Sequence, residues 1–80
     1  MKYICENTQT LIYFTRDGEV VPLYFQYKDQ RLKVEKVLRV WNMRKSFDEC
    51  TVYQCRAEGK MAELRWDRVR NKWFIDKIGN

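Results

Sequence analysis

The chain has 80 residues, of which 45% are hydrophobic and 15% aromatic, with a formal net charge of +5 and no histidine. That length holds one domain, and twelve aromatic rings supply enough apolar area for a packed core, which excludes a disordered chain. No run approaches the ~18 apolar residues of a membrane span, and Lys2 and Glu6 break the apolar core that a secretory leader needs.

In chain order, the first predicted strand is Leu11 to Thr15, β-branched and aromatic. The sequence leaves open whether the first fifteen residues join the sheet or pack outside it. Asp17-Gly18 between apolar runs is a hairpin turn, because both residues tolerate positive φ. The run Val20 to Tyr27 is the second strand, with Val21, Leu23, Phe25 and Tyr27 on one face. Pro22 has no N–H to give to a ladder, so it belongs at a strand start or on an edge. Asp29-Gln30 is a weaker turn candidate.

The run Arg31 to Trp41 alternates. Leu32, Val34, Leu38 and Val40 fall on even positions, while Arg31, Lys33, Glu35 and Arg39 fall on odd ones. A helix competes, since Val34, Val37, Leu38 and Trp41 also fit the i, i+3, i+4, i+7 pattern. Frequent valines and the lack of a preceding cap residue favour the strand. Asn42 to Glu49 reads as a loop. Thr51 to Ala57, with Tyr53 and Cys55 on one face, pairs through a Glu58-Gly59 turn with Met61 to Trp66, whose Ala62, Leu64 and Trp66 face inward. Asp67 to Asn71 is a turn, and Lys72 to Ile78 is the last strand. Short strands joined by hairpins predict an all-β domain, an antiparallel meander curled into a small barrel or strongly bent sheet.

The residues that usually carry chemistry are missing or badly placed. Without histidine the chain lacks the commonest general base and metal ligand. Ser46 sits beside Lys45, and adjacent side chains rarely face each other. Cys50 and Cys55 are five apart, on opposite faces of one strand, and Cys5 alone does not complete a zinc set. Asp48-Glu49 has no evident acid opposite it, and the three glycines lie too far apart to cradle a phosphate. The expectation is a protein that is not an enzyme and uses no cofactor or metal. Three cysteines cannot all pair internally, which fits reduced thiols and a cytoplasmic location.

The charge is local. Lys28 to Lys45 holds seven cations against two acids, while the rest of the chain is balanced at nine of each. Alternation sets Arg31, Lys33 and Arg39 on one wet face with Val37 and Trp41, and Arg44 and Lys45 follow from the loop. Cations in a row gain from counterion release along a phosphate backbone, and an exposed ring adds a stacking platform. Arg65, Arg68, Arg70 and Lys72 extend such a groove. The plainer alternative is a solvated sheet face whose lysines guard an edge, with Trp41 folded over a barrel end. Two functions follow: a module binding single-stranded nucleic acid through Arg31, Lys33, Arg39, Trp41, Arg44 and Lys45, or a protein-interaction or homodimerisation module using an edge strand.

The second half also resembles a known family. Val34-x-x-Val37-Leu38-x-x-Trp41, then Val52-Tyr53, Gly59, Leu64-x-x-Asp67 and Trp73-Phe74-Ile75-x-x-Ile78, is similar to a small bacterial β-rich domain of unknown function. That domain occurs alone and at the C-terminus of proteins related to Y-family DNA polymerases. The likeness covers roughly Leu23 to Ile78. The family often ends in a further aromatic and an acid, where this chain has Gly79 and Asn80. The resemblance implies a small β fold and, through the company the domain keeps, a nucleic-acid setting.

Overall fold

The computed structural model describes residues 2–45 and 48–79, with side chains described for 3–44 and 49–79. The described residues form seven strands: β1 (Lys2–Thr8), β2 (Thr10–Phe14), β3 (Val20–Tyr27), β4 (Gln30–Lys45), β5 (Asp48–Ala57), β6 (Lys60–Asp67) and β7 (Lys72–Gly79). They lie in one antiparallel sheet in the order β1-β7-β6-β5-β4-β3-β2. This is the expected all-β meander, curled into a half-barrel.

Consecutive strands β1 and β2 end up at opposite ends of the order, so the sheet must curl to let the chain pass between them. At that junction Thr8 Oγ1 accepts from the Gln26 amide (3.0 Å) and donates to the Gln26 carbonyl (2.6 Å). The Gln26 amide also donates to the Gln9 carbonyl at 3.1 Å. These bonds tie the end of β1 to β3, so the first residues belong to the sheet. Their apolar content, Tyr3-Ile4-Cys5, is too brief to have announced a strand.

The hairpins follow from backbone conformation. At Glu58-Gly59 both residues have positive φ (47° and 80°), the geometry a tight two-residue β-turn requires. Lys28 and Asp29 do the same without glycine (49° and 61°), so this turn falls one residue earlier than Asp29-Gln30. Of the stretch Asn42 to Glu49, expected as a loop, 42–45 continue β4 and 48–49 open β5, while 46–47 lie outside the described residues.

The core fills the inner face. Phe25, Leu32, Tyr53, Cys55, Ala57, Ala62, Leu64, Trp73, Ile75 and Ile78 cluster there. A fully buried Leu or Ile contributes about 1.5–3 kcal/mol by leaving water, and Leu64 and Ile75, paired across β6 and β7, are both completely buried. Trp66 stacks on Trp73 (5.7 Å between centroids), and Trp73 on Tyr53 (5.3 Å). The Tyr53 hydroxyl donates to the Val20 carbonyl at 2.8 Å, crossing the barrel from β5 to β3.

Strict alternation fails in β3 and β4, as it also does where β7 pairs with β1 and β6. In β3 the register shifts between Leu11 and Ile12 of its partner, so Pro22 and Phe25 are buried while Leu23 is exposed. In β4, Glu35 and Leu38 are extra residues, each bulging out of the pairing with β5. Two bulges three residues apart reset the face twice. Val34, Val37 and Val40 therefore share the side of β4 that faces the barrel interior, at a spacing of three.

Candidate binding face on strand β4

The bulges decide what β4 shows to solvent. Directly paired residues of an antiparallel sheet share a face. Val37 pairs with buried Cys55, so Val37 turns inward and leaves the row in which alternation had put it. Lys36 pairs with exposed Arg56 and turns outward. Arg39 pairs with Gln54, and Trp41 with Val52, also on the outer side. Upstream of the bulges Leu32 is buried against Phe25, which sets Arg31 and Lys33 outward beside Gln26 and Tyr24. The outer side of β4 thus carries Arg31, Lys33, Lys36, Arg39 and Trp41. Lys36 was missed because alternation, applied without bulges, buries it.

Arg31, Lys33, Lys36 and Arg39 are all exposed, and none stands within ion-pair distance of a carboxylate among the described residues. The nearby acids are engaged with backbone. Glu58 accepts the Lys33 amide at 2.8 Å, and Glu35 accepts the Gly59 amide at 3.2 Å. On the outer face the row running from Arg39 through Gln54 reaches Glu63 two strands away. Two strand spacings are about 10 Å, roughly one screening length at ~0.1 M salt.

Two rings sit among these cations. The Arg31 guanidinium lies 5.8 Å from the centroid of the Tyr24 ring, and that of Arg39 5.3 Å from Trp41. Trp41 is half-buried, with buried Val52 directly opposite, and does not fold over the barrel end. Its ring is partly accessible and already has a cation on one side.

The remaining candidates separate from this face. Arg44 points to the inner side of the sheet opposite Glu49 and bonds it at 3.3 Å. The side chain of Lys45 lies outside the described residues, as do Ser46 and the side chain of Asp48. The second basic cluster is largely neutralised. Arg68 approaches Glu49 (3.8 Å), Arg70 bonds Asp67 (2.9 Å) and Arg65 bonds Asp76 (2.9 Å). Burial alone would lower the Arg65 pKa, but its bond and attraction to Asp76, with lesser help from the Cys50 and Cys5 thiols, raise it, so this cation is fixed.

The thiols differ in setting. Cys50 and Cys55 lie on opposite faces of β5 and are both buried, and burial pushes the Cys55 thiol up to about 12. Cys5 is exposed. Among the described residues no three His, Cys, Asp or Glu side chains gather as metal ligands would, and no helix is long and apolar enough to cross a membrane. No protein-family profile, curated protein or solved structure matches the chain.

Proposed function

We propose that this chain is a non-catalytic binding module that takes single-stranded nucleic acid along the outer side of β4. The observation that carries the reading is the row Arg31, Lys33, Lys36 and Arg39, exposed and unpaired with carboxylates among the described residues, and interleaved with Tyr24 and Trp41. Backbone phosphates would displace counterions from the row, and bases would stack on the open parts of the two rings. An arginine already over each ring favours this use, because guanidinium planes stack on bases as well as on aromatic side chains. The resemblance to a domain found beside Y-family polymerases points in the same direction.

The test is a fluorescence titration with a thymidine oligomer of about eight nucleotides, within the site sizes small β modules cover. Binding quenches indole emission at low salt and weakens steeply as salt rises. Trp41→Leu removes most of the quench, because Trp73 is buried and Trp66 is stacked against it on the inner face. No binding at low salt overturns the proposal.

A further inference from the structure

β3 pairs with β4 only from Tyr24 to Tyr27, opposite Gln30 to Lys33. Beyond Lys33, β4 follows β5 alone, and among the described residues no strand pairs with its other edge from Val34 to Arg44. The edge is long, and an unpaired row of N–H and C=O groups is a template for another strand. Between it and the start of β3 the half-barrel opens into a cleft of about 520 Å³. Phe14 and Val20 form one wall, Val37 and Val40 the other, and Tyr53 and Trp66 line it as well. Phe14 is 67% exposed and Val40 54% exposed, large apolar surface for so small a protein. Pro22, in the β3 segment that has left β4, contributes no N–H that could help close the gap.

The geometry points to this edge as a docking site for an extended peptide of a partner protein, in which apolar residues alternate with acidic ones. A strand added to β4 turns alternate side chains into the cleft, against Val37, Val40 and Phe14, and the others outward beside Lys36 and Arg39. The first set must be apolar and the second is best acidic. Charge also decides against a second copy of this chain. From Val34 to Arg44, β4 has Lys36, Arg39 and Arg44 against the single acid Glu35. Two copies laid edge to edge would bring two such segments, each with an excess of two positive charges, to within one strand spacing, and the like charges would repel. The inference does not require nucleic-acid binding, although the peptide's acids and backbone phosphates would both meet Lys36 and Arg39.

The probe is a synthetic peptide of about eight residues alternating valine and glutamate, with valine–lysine alternation as control. Both are titrated into isotopically labelled protein while amide shifts are followed. The glutamate peptide moves the amides of Val34 to Arg44 and of Val20, and the lysine peptide binds at least about tenfold more weakly. Val40→Gln places a neutral amide on the exposed cleft wall and weakens the glutamate peptide about tenfold, while oligonucleotide affinity changes little. Phe14→Ala, at an even more exposed position, weakens it in the same sense. The inference is overturned if neither peptide shifts β4 at roughly 1 mM, if both bind equally, or if the protein alone sediments as a dimer with the β4 edge amides protected from exchange.

Discussion

The bulges at Glu35 and Leu38 make a prediction opposite to that of simple alternation, and a pair of substitutions separates the two. Val37→Asn and Lys36→Asn introduce the same residue at adjacent positions of one strand, so the asparagine term is shared, and only the difference in strand propensity between valine and lysine, within a scale spanning ~1 kcal/mol, remains. Val37 is half-buried and packs against the core cluster opposite Cys55, which is completely buried. Losing roughly half of a valine's burial removes about 1 kcal/mol, and pressing an amide toward that interior costs about 1–2 kcal/mol more. Lys36 is exposed, and its replacement falls within about 0.5 kcal/mol apart from the shared propensity term. The two variants should differ by about 2 kcal/mol. With a urea slope of about 1 kcal/mol/M for a chain this small, their unfolding midpoints should lie about 2 M apart. Equal midpoints, or a lower one for Lys36→Asn, would refute the bulged register and with it the outward row of cations.

Three further outcomes are expected. Leu64→Ala, at a completely buried position between Tyr53 and Ile75, should cost about 2–5 kcal/mol, a large part of the total stability of about 4–12 kcal/mol for a chain this long, and chemical denaturation will show it. Cys5 should react with a thiol reagent in the native state at neutral pH, whereas Cys50 and Cys55 are buried and should react only on unfolding, countable by mass spectrometry. The Asp67 carboxyl is held below its ordinary range, first by the Arg70 amide, then by the Arg70 guanidinium and the Val69 amide. A lowered folded value means that its contribution is complete above the unfolded pKa and is lost as pH falls through the folded one. Asp67→Asn should therefore lower stability at neutral pH and flatten its decline in acid, read from midpoints across a pH series.

The second half of the fold was legible because its signals were local. Glu58-Gly59 turns where its dipeptide says it should, and Ala62, Leu64 and Trp66 pack inward together with Tyr53 and Cys55, following unbroken period-2 alternation. Strand β1 was hidden because only Tyr3, Ile4 and Cys5 are apolar and its pairing, with Ile78 through Trp73, is remote in sequence. The turn at Lys28-Asp29 was displaced because non-glycine residues there adopt positive φ, which composition does not signal. Arg31, Lys33, Arg39 and Trp41 share one side of β4 as alternation expected, yet for a partly mistaken reason. A uniform strand puts 31, 33, 39 and 41 on one side, and two bulges that cancel in parity leave those four there while exchanging Lys36 for Val37. Bulges come from how β4 leaves β3 to follow β5, a tertiary demand no single strand records. Arg44 was lost for the same reason, since extension of β4 to Lys45 brought it opposite Glu49.

The salt dependence of oligonucleotide binding tests the proposed function most directly. Four phosphates neutralised by Arg31, Lys33, Lys36 and Arg39 predict a slope of about −3 for the logarithm of affinity against that of salt concentration, and neutralising any one of them to glutamine should reduce it by about 0.7. A slope near zero, or one unchanged when all four are glutamine and the fold is intact, would contradict binding along the outer side of β4.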